Sequence, residues 1–215
     1  MMHCLKLLIK YGRGTEMLGN KLGITSQMEL AKEEERLSKI KAKWLFESGE
    51  IDKLEIGTFK GLADIHRILF EDIYDFTGKV RDVNIAKDGF SFAPRIFLEQ
   101  SLDYIDKLPQ TNFDEVIEKY ADMNIAHPFR VGNGRSTRIW LDCILKKELG
   151  KIVDWNQIDK HDYLNAMIRS HVSTGELKYL IQNALTNDLS RESFMKGIDA
   201  SYYYEGYSEF SVEGL

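Results

Sequence analysis

The run Ile139-Trp140-Leu141-Asp142-Cys143-Ile144-Leu145 constrains this chain more than any other. As a helix it is apolar on most sides, so it has no face to give to water and must be enclosed by other elements. Lys146, Lys147 and Gly150 mark its end. Just before it stands the stretch HPFRVGNGRSTR, residues 127–138. Upstream, Phe113, Val116, Ile117, Tyr120 and Ala121 recur at helical spacing, and Asn112 with Glu115 reads as an N-cap and its partner. The stretch therefore joins the end of one helix to the start of a buried one. A helix start offers unpaired N–H groups and partial positive charge, which suits phosphate. Gly132 and Gly134 let the backbone approach a ligand and adopt positive φ. Arg135 and Arg138, three apart, share a face of the first turn and can grip further phosphate oxygens. His127, at the far end of the loop, is placed to act as a general base. Taken singly, these would be a loop histidine and two solvated arginines. In this order, at a buried helix start, they point to a nucleotide site.

The stretch resembles the motif of the Fic family (filamentation induced by cyclic AMP), H-x-F-x-(D/E)-G-N-G-R-x-x-R. The match holds at His127, Phe129, Gly132, Asn133, Gly134, Arg135 and Arg138, and fails at Val131, where the family has an acid. Seven fixed residues at set spacing are far more specific than a lone glycine-rich loop. The resemblance implies an all-α fold, a Fic-type helical domain with one β-hairpin flap. It also implies AMP transfer from ATP to a hydroxyl of a target protein. His127 would deprotonate that hydroxyl. Gly132, Asn133 and Gly134 would hold the α- and β-phosphates, and Arg135 and Arg138 the outer ones. The family's acid coordinates Mg²⁺, a hard cation that needs oxygen ligands, and valine has none. Mg is therefore expected for the family while its usual ligand is absent here.

With 215 residues and 43% hydrophobic content, the chain suffices for one domain with a real core. A formal net charge of −5 implies no general basic surface for nucleic acid. Two cysteines, Cys4 and Cys143, give no disulfide framework or zinc pattern. No apolar run is long enough to span a membrane, and Cys4–Ile9, interrupted by Lys6, makes a poor secretory signal. The expectation is a cytoplasmic, bacterial-type protein. Residues 1–16 show no cap or period and read as a non-native or extended N-terminus before Met17, with residues 17–215 as a single domain.

Along the chain, residues 26–46 read as a mostly exposed helix. Its Glu33, Glu34, Glu35, Arg36, Lys39, Lys41 and Lys43 form a solvated face beside a thin stripe that includes Leu37 and Trp44. Thr58 is a candidate N-cap for a helix carrying Leu62, Ile65 and Leu69, on which His66 is a packed residue. Residues 83–92 change period around Lys87-Asp88-Gly89 and read as a β-hairpin, the single strand pair assigned. In the family this hairpin is a flap beside the site that pairs with a segment of the target. Residues 94–108 form a further helix, with Ile96, Phe97, Leu102, Ile105 and Leu108 inward. His161-Asp162 lacks the further ligands that a metal pair needs, and no P-loop is present.

A second match lies at the end. Ser201-Tyr202-Tyr203-Tyr204-Glu205-Gly206 fits the (S/T)-x-x-x-E-(G/N) motif that some Fic proteins carry on an inhibitory helix, here at about residues 190–207. The resemblance implies that Glu205 pairs with Arg138 in place of the γ-phosphate, with Ser201 on the same face. The leading expectation is an autoinhibited protein adenylyltransferase weakened by Val131. The alternative is a catalytically degenerate Fic protein acting as a nucleotide- or partner-binding regulatory module, and a third reading moves another group from another donor. The target is a protein with a Ser, Thr or Tyr hydroxyl, a type II topoisomerase being the candidate. Tyr202–Tyr204 and Phe210 are available for contact in a homo-oligomer.

Overall fold

The structure, a computed structural model, describes residues 10–11, 17–87 and 89–215. The expected N-terminal extension, apart from residues 10–11, and Asp88 of the hairpin turn lie outside the described residues. In chain order the elements are β1 (Lys10–Tyr11), α1 (Gln27–Glu47), α2 (Phe59–Phe70), β2 (Ile85–Lys87), β3 (Phe90–Ser91), α3 (Arg95–Asp106), α4 (Phe113–Ala126), α5 (Asn133–Leu149), β4 (Ile152–Val153), α6 (Lys160–Arg169), α7 (Gly175–Asn183), β5 (Leu185–Thr186) and α8 (Arg191–Tyr204). The fold is predominantly helical.

Helix α5 is the central element. Every side chain from Arg135 to Leu145 is buried: α2, α4 and α8 pack around it, and α1 reaches it through Glu34. Gly132 caps its N-terminus at φ 75° and Gly150 its C-terminus at φ 64°. On α2, Thr58 accepts from the Gly61 N–H. On α4, Asn112 accepts from the Glu115 N–H, while the Glu115 carboxylate reaches back to Thr111 N. These local caps fix where α2, α4 and α5 start and where α5 ends.

Strands β2 and β3 form the hairpin. Two further short ladders depart from the expectation of a single strand pair. β1 adds to the outer edge of β2, with Lys10 opposite Ala86 and Tyr11 opposite Ile85, and β4 pairs with β5. Two-residue strands show no side-chain period, and backbone pairing leaves no mark in the sequence.

Helix α1 also departs from expectation. Glu34, Glu35, Ser38 and Lys39 are buried rather than solvated. Lys39 Nζ pairs with Glu35 at 3.1 Å and with Asp199 of α8 at 2.9 Å. Glu34 pairs with Arg135 of α5 at 2.6 Å. Their partners lie far along the chain, so α1 carries a polar seam against α5, α8 and the tail. Trp44, expected in the apolar stripe, is exposed. On α3, Ile96 and Phe97 are exposed instead of inward, and Leu98, Leu102 and Ile105 carry the packing. Helical spacing there fits two overlapping faces, and the neighbouring α4 selects one.

Candidate active site

His127 ends α4 in the left-handed region (φ 49°, ψ 61°), the sole non-glycine residue with positive φ among those described. Such a conformation persists where its surroundings impose it. Arg81 is the surrounding group. Its Nε donates to the His127 carbonyl at 2.8 Å, and its other nitrogens donate to Val83, Ala93 and Ala126 carbonyls. The His127 ring stacks on Phe92 at 3.6 Å between centroids. Nδ1 is sealed in the protein without a hydrogen bond of sound geometry, although the Asn124 carbonyl favours the charged form, so Nε2 is the nitrogen left for chemistry. Burial, and then the Lys87 charge, push its pKa down to about 3. The imidazole is therefore neutral at pH 7.

The loop after His127 is held from inside. Asn133 closes it with a reciprocal amide pair: Phe129 N–H donates to Asn133 Oδ1 at 2.8 Å, and Asn133 Nδ2 donates to the Phe129 carbonyl at 2.7 Å. His66 on α2 supports it from below. Gly78 N–H donates to His66 Nδ1 at 2.9 Å, so the ring proton lies on Nε2, which donates to the Val131 carbonyl at 2.9 Å. Burial drives the His66 pKa down to about 3, consistent with a neutral packed ring. Gly132 cannot be replaced without strain, because a Cβ there would lie 2.4 Å from the Phe70 ring.

A cavity of about 120 Å³ opens on this loop, lined by His127, Val131, Gly132, Asn133, Gly134 and Arg138, and by Glu205 beyond α8. Ile85, Lys87, Phe90 and Phe92 cover it from the hairpin side. Arg138 Nε donates to Ser201 Oγ at 2.7 Å, and Nη2 to the Ser201 carbonyl at 2.8 Å and to Glu205 Oε1 at 3.0 Å. The carboxylate lies against the start of α5: a Cβ on Gly134 would be 2.2 Å from Glu205 Oε1. Lys87 Nζ is 3.5 Å from the other oxygen, Oε2. Burial raises the Glu205 pKa, but Lys87 and Arg138 together hold it well below the usual carboxylate range.

Residues 58–145 match the Fic/DOC family. The chain carries a Fic domain. It is 31% identical over 186 residues to the protein adenylyltransferase VbhT of Bartonella schoenbuchensis, which covers 80% of this chain. The chain spans 38% of the length of that relative. It is 28% identical over 169 residues to the probable protein adenylyltransferase y4lH of Sinorhizobium fredii, covering 73% of this chain and 84% of that one. Among solved structures, the N-terminal Fic domain of a putative cell filamentation protein from Bartonella quintana, with bound ADP, superposes with a TM-score of 0.67 at 20% identity. That match covers 85% of this chain and 96% of the other. The BepC protein of Bartonella tribocorum, with bound AMPPNP, gives a TM-score of 0.64 at 20% identity over 82% and 95% of the two chains.

Within this Fic domain, Arg135 does not line the cavity. Its guanidinium turns into the core, where it pairs with Glu34 and lies over the rings of Phe70, Tyr202 and Tyr207 at 4.7, 5.3 and 4.7 Å. Arg135 and Arg138 therefore diverge rather than share a face, because Glu34 of α1 takes one and Glu205, just beyond α8, takes the other. Ser201 meets Arg138 from outside the cavity. Tyr202 and Tyr204 are buried and Tyr203 is 56% exposed, so the three tyrosines do not form one accessible group. Val131 presents no side-chain oxygen to a divalent cation, and its carbonyl already accepts from His66. The residues present do not fit a metal held at this position. Sequence spacing alone does not mark Lys87, Arg81, Phe92 or Glu34 as site residues; the one signal that could find any of them is a lone cation, Lys87, on an otherwise apolar hairpin face. No helix among the described residues is long and apolar enough to cross a membrane.

Proposed function

We propose that this chain is a protein adenylyltransferase held off by its own C-terminal segment. What carries the reading is the Glu205 carboxylate, bound by Arg138 against the α5 N-terminus in the cavity that His127 lines. An internal anion at a helix start marks a position suited to phosphate. In the proposed reaction, His127 takes the proton of a target hydroxyl. The hydroxyl oxygen bonds to the α-phosphorus of ATP, the bond from that phosphorus to the bridging oxygen breaks, and pyrophosphate leaves. Backbone N–H groups at Gly132–Gly134 receive phosphate oxygens, and Arg138 receives the outermost group. The Asn133 carboxamide serves the loop, so its contribution is through the backbone.

With Glu205 in place, the cavity of about 120 Å³ is too small for a nucleoside triphosphate, since sites for small organic ligands run to about 300–1,000 Å³. This supports autoinhibition: Glu205 must leave Arg138 before ATP takes a productive pose. Val131 favours a second reading, a nucleotide-binding regulatory module that transfers little, because it removes the motif acid. Labelling separates the two. The Glu205→Gly protein is incubated with α-phosphate-labelled ATP and a cytoplasmic lysate, or with a purified type II topoisomerase as candidate target. Transfer of label that His127→Ala lowers by about 10²–10⁴ supports the enzyme. Label that survives His127→Ala removes the base assignment, and nucleotide binding without labelling supports the module.

A further inference from the structure

Strand β2 places Ile85 and Lys87 on one face, and their cross-strand neighbours Phe92 and Phe90 share it. All four line the cavity, so Lys87 is one ammonium among three apolar side chains. A cation there is costly unless it is paired. It pairs with Glu205, and its side chain is 23% exposed. The other cations nearby are held elsewhere: Arg81 by backbone carbonyls, Arg130 by Asp82, and Arg135 by Glu34. The two oxygens of Glu205 are thus bracketed, Oε1 by Arg138 on the helix side and Oε2 by Lys87 on the hairpin side. An anion that replaces this carboxylate inherits both cations. At the same loop, Val131 leaves nothing for a metal to bind.

We propose that Lys87 is a phosphate-binding residue that supplies, from the hairpin, positive charge for which Val131 leaves no metal ligand, so that this chain binds ATP without a divalent cation. The proposal rests on the nucleotide reading above. A lysine suits the role, being a compact point charge on a flexible stem that can follow an outer phosphate as the hairpin shifts. Lys87 and His127 line the same cavity, so the ammonium is within reach of a ligand bound there.

The test uses the full chain carrying Glu205→Gly, so that Lys87 is no longer merely a partner of Glu205. ATP and AMP are titrated by calorimetry in EDTA and again in Mg²⁺. ATP is expected to bind in EDTA. Lys87→Met should weaken ATP by about one to two orders of magnitude, the range of a charge-assisted contact, and leave AMP unchanged. Lys87→Arg should retain most of the affinity. Adding Val131→Glu should make ATP binding depend on Mg²⁺ and reduce the effect of Lys87→Met. Thermal melts confirm that each variant is folded. Equal ATP affinity in Lys87→Met and its parent overturns the proposal, as does ATP binding by the parent that vanishes in EDTA. If no variant binds ATP under either condition, the nucleotide reading fails and this inference falls with it.

Discussion

The pair Arg135–Glu34 decides whether the second motif arginine serves the ligand or the core. Both residues are almost completely buried, at 2% and 3% exposure, with 2.6 Å between Nη2 and Oε1. Glu34 also accepts from the hydroxyls of Tyr74 and Tyr207. Replacing Arg135 with Met keeps much of the volume but strands a buried carboxylate. Losing one partner of a buried pair costs about 3–5 kcal/mol, against a total of about 5–15 kcal/mol for a typical domain. At roughly 2–4 °C per kcal/mol for a chain of this size, the melting temperature should fall by roughly 6–20 °C. Adding Glu34→Gln neutralises the stranded group, and about 0.5–3 kcal/mol should return as coupling. Urea unfolding followed by circular dichroism measures each corner of the cycle. ATP titration of the folded variants in the Glu205→Gly background gives the second readout: Arg138→Met should weaken binding, and Arg135→Met should not. The core assignment is refuted by a loss under about 1 kcal/mol, as expected of a solvated pair, or by an ATP defect in Arg135→Met equal to that in Arg138→Met.

The other expectations are brief. Glu205→Gly should raise ATP affinity and labelling by about tenfold or more, because it removes a charge-assisted competitor for Arg138; unchanged binding would make the Arg138–Glu205 contact irrelevant to the ligand. Self-labelling released by that change should fall on Tyr203 rather than on buried Tyr202 or Tyr204, which peptide mapping by mass spectrometry reads directly. Acid should destabilise the fold through His66. Its folded pKa is about 3, while the unfolded ring protonates near 6.5, so its contribution is present above that value and is lost as pH falls toward 3. From pH 7 to pH 5 the loss is about 2 kcal/mol, and His66→Gln should flatten the stability–pH curve over this window relative to the parent. An identical slope in the two proteins would count against a neutral, buried His66.

The parts legible in the sequence are those whose causes are local. Asn112 with Glu115, Thr58 with Gly61, and the glycines at 132 and 150 each write a helix end into neighbouring residues. The run from Ile139, apolar on most sides and broken only by Asp142 and Cys143, marks a buried helix because it leaves almost no face for water. What was not legible has distant causes. Glu34, Glu35 and Lys39 resemble a solvated face, and only Arg135, Asp199 and the tail, more than 100 positions away, turn that face inward. The divergence of Arg135 from Arg138 follows from the same α1 carboxylate. Ile96 and Phe97 show the converse, since an apolar residue at helical spacing is buried only if a neighbour arrives to cover it.

Arg81 has a mechanical consequence. One buried guanidinium holds Val83 and Ala93, the two feet of the hairpin, together with Ala126 and His127 at the end of α4. The feet and the histidine backbone therefore move as one body, and bending of the hairpin is concentrated beyond them, toward Gly89. Amide exchange should be slow at the feet and fast at the tip, a gradient along fewer than ten residues. A partner gripped near the tip would carry the positional noise of that short lever. One gripped near the feet would share the frame of the imidazole itself, where a misplacement of about 1 Å can cost about 10² in rate.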